Sequence, residues 1–218
     1  MKITTVYDNN VYVEGLKSEW GFSCAIEVSG ERILFDTGGD GSVLLYNMEK
    51  LGIDPNDFER IVLSHEHWDH AGGLFDVLEL NHDAEVYLLT AFSESFKNRI
   101  KNPVIEIHEP SKICDLVYTT GELGISIKEQ SLILETKNGL VVITGCAHPG
   151  LKAIINSASQ FGEIYGIIGG FHGFDDYPLL NGLAFLSPCH CTQHLREIVS
   201  RFPEAYQKNG VGRVFTFE

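Results

Sequence analysis

The chain has 218 residues, 44% apolar and 21% charged, with a formal net charge of −14. That length suits a single domain over residues 1–218 with a substantial core, and no apolar run approaches the ~20 residues needed to span a bilayer. The acidic balance argues against a broad phosphate-backbone contact, so nucleic acid is not an expected partner; it does favour attraction of metal cations.

Met1-Lys2 leads directly into Ile3-Thr4-Thr5-Val6-Tyr7, which alternates like a strand and lacks the apolar stretch of an export signal. A cytoplasmic location is therefore expected, and the five cysteines, an odd number, read as thiols. Short β-branched runs then alternate with helical patterns, an α/β arrangement. Strands are predicted over 2–7, 22–28, 31–35, 60–64, 85–89, 104–108, 131–136, 140–144, 163–168 and 213–217. Helices are predicted over 42–51, 71–79, 92–99, 149–159 and 192–201. The last has Thr192 as its expected N-cap and Leu195, Ile198, Val199 and Phe202 at helical spacing. Residues 82–130 carry the weakest pattern.

The polar candidates fall where apolar strand runs stop. Asp36 follows Phe35, His65 follows Arg60 to Ser64, His148 follows Leu140 to Thr144, His172 follows Ile164 to Gly169, and His190 closes Phe185 to Pro188. Loops at strand ends are where layered folds place functional groups on a rigid scaffold. The densest group is His65-Glu66-His67-Trp68-Asp69-His70, followed by Ala71-Gly72-Gly73. Imidazole nitrogens and a carboxylate oxygen are donors that zinc and similar divalent ions prefer. Burying several of them in one turn is costly unless a cation offsets the desolvation. Gly72 and Gly73 are expected to let backbone approach closely behind these side chains. Cys24 and Cys114 read as core residues, Cys146 as a small buried thiol, and Cys189 and Cys191 as packing or substrate-contact groups, because C-x-C lacks structural-zinc spacing. Trp68 reads either as a cleft wall or as a packing residue.

The stretch 65–70 resembles the HxHxDH signature of the metallo-β-lactamase superfamily. Phe35-Asp36-Thr37-Gly38-Gly39 resembles its upstream DTG motif, and Gly145-Cys146-Ala147-His148 and Pro188-Cys189-His190-Cys191-Thr192 resemble its later histidine motifs. The resemblance implies a four-layer αβ/βα sandwich, two mixed sheets flanked by helices, with metals at the edge between them. It implies one site formed by His65, His67 and His148 and a second formed by Asp69, His70 and His190, with Asp36 behind them orienting a ligand. Two ions roughly 3.5–4 Å apart, zinc on this donor set with iron or manganese as alternatives, would activate a shared water as nucleophile. The family's bridging Asp is missing after Ile167-Ile168-Gly169-Gly170, where Phe171-His172 stands. His172 is thus a candidate ligand or acid/base group, beside the plainer reading of a hydrogen-bonding histidine, and Asp69 and His172 are the catalytic candidates.

Trp20-Gly21-Phe22-Ser23 and Gly169-Gly170-Phe171-His172, with the two later histidine motifs, are similar to a subgroup identified as dihydropterin–ribofuranosylaminobenzene phosphate synthase-like, tied to methanopterin biosynthesis. The functions implied are, first, a hydrolase of an ester, phosphoester or related small molecule. The alternatives are a transferase joining a dihydropterin to an aminobenzene ribotide, and a non-catalytic metal- or ligand-binding module. Oligomeric state is left open.

Overall fold

A computed structural model describes residues 1–218. In chain order it forms β1 (Lys2–Tyr7), β2 (Ser23–Val28), β3 (Glu31–Phe35), α1 (Gly41–Leu51), β4 (Arg60–Val62), α2 (Trp68–Ala71), α3 (Leu74–Leu78), β5 (Glu85–Leu89), α4 (Glu94–Lys97), β6 (Val104–Ile107) and β7 (Ser111–Cys114). The chain continues through β8 (Val117–Thr119), β9 (Leu132–Thr136), β10 (Gly139–Thr144), α5 (Leu151–Ala158), β11 (Ile164–Gly170), β12 (Phe185–Cys189), α6 (Leu195–Arg201) and β13 (Val214–Thr216). One sheet has the order β13-β1-β2-β3-β4-β5-β6 and the other β12-β11-β10-β9-β8-β7. Both are mixed: β3 to β6 run parallel while β13, β1, β2 and β3 pair antiparallel, and β10, β11 and β12 run parallel beside the antiparallel β7 to β10.

Period-2 alternation assigns the faces of the second sheet. Leu132, Leu134, Val141, Ile143 and Ile168 point into the large core shared with the first sheet. Their alternates Ile133, Leu140, Val142 and Ile167 point outward into a second core, closed by Leu151, Ile154 and Ala158 of α5 and Ile198 of α6. On the other side, α1 packs against β1 and α3. The result is the expected four-layer sandwich. No helix is long and apolar enough to cross a membrane.

Every strand expected from the sequence is present within a few residues, and three more appear. β7 and β8 form a short hairpin within the weakly patterned 82–130 stretch. β12 carries Pro188 at the edge of its sheet, where a missing N–H costs no ladder hydrogen bond. Helix α1 spans the expected residues, and the other helices are shorter than expected. The segment 71–79 breaks into α2 and α3 at Gly72-Gly73, whose amides both donate to the Gly38 carbonyl of the neighbouring loop, that of Gly72 also to the Trp68 carbonyl of α2. Thr192 is not the N-cap of α6, which begins after His194 without a side-chain cap. Its hydroxyl instead donates to the Cys189 carbonyl at 2.7 Å and accepts from the Phe171 amide at 3.0 Å, tying the ends of β12 and β11 together.

Helix α1 follows the capping rules closely. The Asp40 carboxylate accepts from the amides of Ser42 (2.8 Å) and Val43 (3.3 Å), and Gly52 closes the helix in the left-handed conformation at φ 69°. Asp40→Ala should cost about 1 kcal/mol of unfolding free energy, read from urea titrations. The Ser42 hydroxyl, chiefly, holds the Asp40 carboxyl below its ordinary value. The cap's contribution is therefore complete above the unfolded-state value and lost as the pH falls through the lower folded one. The wild-type advantage should vanish in acid.

Candidate metal centre

The functional candidates sit on tight turns at strand ends. Asp36 follows β3 at φ 56°, Ala147 follows β10 at φ 57°, His172 follows β11 at φ 44°, and His190 follows β12 at φ 49°. These are four of the six non-glycine residues with positive φ; the other two, Ser29 and Leu116, lie in hairpin turns. Each such residue costs of order 1–3 kcal/mol, and the surrounding hydrogen bonds must hold it. Gly72 and Gly73 behave as expected: a Cβ on Gly72 would lie 2.5 Å from the Gly39 carbonyl oxygen, and one on Gly73 2.5 Å from that of Thr37.

The structure brings the sequence-distant histidines together. Donor atoms of His65, His67 and His148 form one group, and those of Asp69, His70, His190 and Cys146 a second, each within 4.8 Å of one another. His65 and His70 join the groups, with ring centroids 4.3 Å apart. Four of the rings are held from behind through Nδ1: His65 by the Ser64 hydroxyl (2.9 Å), His70 by Asp36 (2.7 Å), His148 by Glu129 (2.9 Å) and His190 by Asn9 Oδ1 (3.0 Å). Each ring thus keeps Nε2 for the cluster. His67 is turned the other way, its Nδ1 3.1 Å from His65 Nε2. Carboxylate or amide support on the far nitrogen sets the tautomer and ring orientation that a metal ligand requires.

Asp36 supports two rings. It binds His70 directly, and it accepts from both the amide and the hydroxyl of Ser64 at 2.7 Å, the same hydroxyl that faces His65. Burial pushes its pKa up to about 7, opposed by His65 and Ser64. Burial also drives His65 and His70 down to about 3, reinforced by the other imidazoles, so both rings are neutral and ready to ligate. For Asp69 burial works against ionisation, but the neighbouring His190 and His70 outweigh it and hold the carboxyl well below the usual carboxylate range. His190 Nε2 is buried, lies 3.4 Å from Asp69 Oδ2 and has no hydrogen-bond partner. An orphaned, inward-aimed nitrogen among neutral imidazoles and an ionised carboxylate is a donor set that fits divalent cations.

His172 lies outside both groups. It is exposed, with its ring 5.3 Å from that of His148. Together with Ala147, His148, Leu151 and Phe174 it lines a cleft of about 370 Å³. Trp68 is 64% exposed and lies against Gly39. Trp20, half exposed, donates from its indole nitrogen to Asp69 Oδ2 at 2.9 Å and leans on the His190 ring. Cys24 and Cys114 are core residues. Cys146 is the small buried thiol expected, and its Sγ also stands 3.1 Å from His70 Nε2 within the second group.

Two supports escaped the sequence reading. Glu129, fully buried, accepts from the Thr144 hydroxyl, from the amides of Cys146, Ala147 and His148, and from the His148 ring. Burial would raise its pKa, yet the His148 hydrogen bond and His65 hold it far below the ordinary range. It stands in the weakly patterned stretch, with no local signal. Asp8 and Asn9 bind the His190 turn through its amide, carbonyl and ring. The strand-end rule, applied to Tyr7, would have found them.

The family model of the metallo-beta-lactamase superfamily matches residues 21–148, and the chain belongs to that superfamily. It is 26% identical to the 7,8-dihydropterin-6-methyl-4-(beta-D-ribofuranosyl)-aminobenzene-5'-phosphate synthase of Methanocaldococcus jannaschii, over 92% of this chain and 90% of that protein. An uncharacterized protein of the same organism, MJ0448, is 29% identical over 87% of this chain and 90% of its own. Among solved structures, Tm1679, a metal-dependent hydrolase of the beta-lactamase superfamily, superposes with a TM-score of 0.81 at 28% identity, covering 100% of this chain and 99% of that one.

Glu129→Gln replaces an acceptor facing five donors with an amide whose NH₂ must oppose some of them. It should lower metal affinity by about 10–100-fold, measured by chelator competition, with Glu129 itself touching no ion.

Proposed function

We propose that the protein is a dinuclear metal-dependent hydrolase acting on an ester, phosphoester or related small molecule. The observation that carries this reading is the convergence of the neutral His65 and His70 rings with His67, His148, an ionised Asp69 and the unpartnered His190 Nε2 at one rim of the fold. His65, His67 and His148 would hold one ion, and Asp69, His70 and His190 the other. Zinc is the proposed metal on this nitrogen-rich set. Divalent ions there would polarise the substrate and lower the pKa of a water so that it attacks at neutral pH.

The chain's own residues supply the rest. Asp36, Glu129, Ser64 and Asn9 keep the rings from turning. Trp20 fixes the Asp69 carboxylate through Oδ2. His172, outside both ligand groups and on the wall of the cleft beside His148, is the residue placed to exchange a proton with a leaving group. The cleft is of the size that takes a small molecule. A second reading, a transferase joining a dihydropterin to an aminobenzene ribotide, is favoured by the similarity to the methanogen synthase along most of both chains.

The test is a metal-loaded activity screen on phosphodiesters, phosphomonoesters and carboxylic esters, run beside a mixture of dihydropterin diphosphate and aminobenzene ribotide. Hydrolysis that chelation abolishes supports the first reading; a joined product without ester hydrolysis replaces it with the second. Bound metal without turnover on either arm would leave a binding module. His65→Ala should lose metal and activity together. His172→Ala should retain its metal and lower kcat by about 10²-fold or more. Loss of metal from His172→Ala would make it a ligand instead.

A further inference from the structure

We propose that the Cys146 thiolate is the fourth protein ligand of the second ion, and that it makes this position select thiophilic cations such as zinc or cobalt over manganese and magnesium. The inference rests on the dinuclear reading above and deepens it. Within the second group His70 Nε2 is 3.1 Å from Cys146 Sγ, His190 Nε2 is 3.4 Å from Asp69 Oδ2, and His70 Nε2 is 4.0 Å from Asp69 Oδ2. Donors with bonds of about 2.0–2.3 Å to one ion stand roughly 3.3–3.7 Å apart; the 3.4 Å separation falls in that range and the other two lie within a few tenths of an ångström of it, so small shifts would let these donors share an ion.

The backbone that carries Cys146 is held in place: its amide donates to Glu129, and the next residue, Ala147, sits at positive φ. Independently, His190 Nε2 is buried without a hydrogen-bond partner, 3.4 Å from Asp69 Oδ2 in the same group, so its lone pair is free for a cation. Sulfur also fills a gap in the chemistry. His172, not an Asp, stands where β11 ends, and Asp175 and Asp176 further on belong to neither group, so the two groups share no protein ligand, and the second ion needs a donor of its own. A thiolate answers that need and is a soft one. On binding, the thiol proton passes to solvent and the sulfur lone pair goes to the ion. Behind it, the Cys191 thiol faces the Cys146 carbonyl at 3.7 Å and belongs to neither group.

Cobalt(II) loading of the full chain tests this without any activity assay. The wild type should bind two ions per chain and show an intense near-ultraviolet sulfur-to-cobalt charge-transfer band. Cys191→Ser should keep the band, whereas Cys146→Ser should lose it, and its second-ion affinity should fall by at least about tenfold, consistent with loss of a ligand. In competition, the wild-type second position should prefer zinc over manganese, and Cys146→Ser should reduce that preference. Two bound cobalt ions with no charge-transfer band, or a band surviving in folded Cys146→Ser, overturn the inference alone. Wild-type protein that takes up no cobalt overturns the dinuclear reading and the inference together. Should Cys146→Ser fail to fold, the wild-type band and its retention in Cys191→Ser decide.

Discussion

Imidazole rings packed edge to face or tilted, with centroids 4.3–5.0 Å apart from His67 through His148, His65 and His70 to His190, set the terms for the rest of this end of the molecule. Protonated together they would repel, and burial already keeps His65 and His70 neutral near ordinary pH. Neutral rings, however, bring lone pairs toward one another, and the cluster holds too few protons to pair them all. A cation would resolve the conflict, because one ion accepts several lone pairs at once. The supports behind the rings follow from the same need. Ser64, Asp36, Glu129 and Asn9 each occupy a far nitrogen, so the near one faces the cluster.

The sandwich exists in a form that lets this happen. Parallel strands β3 and β4 in one sheet and β10, β11 and β12 in the other end at the same rim, so five separate chain reversals deliver their side chains to one place. Reversals that short force left-handed backbone at Asp36, Ala147, His172 and His190. Glycine would adopt that conformation at no steric cost, and only Ala147 among the four lacks a functional side chain, lying between Cys146 and His148. The strain is held by polar contacts inherent to the site. Glu129 bonds three successive amides across the β10 turn, Asp8 takes the His190 amide, and the Gln193 amide donates to the His172 carbonyl. Backbone cost and ligand placement therefore have one cause.

Much of this was legible in the sequence wherever a local pattern and a residue type agreed. Alternation marked the inner strands, and the rule that function follows a strand end pointed to Asp36, His65, His148, His172 and His190. Asp8 and Asn9, which directly follow β1, satisfy the same rule. Glu129 obeyed no rule, since a lone acid before a strand reads as solvated until folding buries it under three amides. Helix ends were overestimated where tertiary hydrogen bonds compete. Thr192 has the chemistry of a cap, but its hydroxyl is worth more tying β11 to β12. Cys146 was undervalued for a related reason: adjacent spacing gives no sign that a thiol two residues before a histidine will face a different histidine, His70, 76 positions away in sequence.

The two catalytic readings use the same donors, so the ligand groups do not discriminate between them; what lies on either side does. On the His148 side the cleft of about 370 Å³ falls near the low end of small-molecule sites and has His172 on its wall. One compact ester and an attacking water fit such a space more readily than two organic substrates held in line. On the His190 side, Trp20 and Trp68 expose indole faces beside the second group. A planar heteroaromatic ring would find stacking there, and that feature belongs to the transferase reading. Trp20 is not free to serve only as a platform, because its indole N–H is committed to Asp69. Any substrate that displaced it would loosen a carboxylate assigned to the second ion. That coupling between substrate seating and ligand order weighs toward hydrolysis of a small ester approaching from the His172 side.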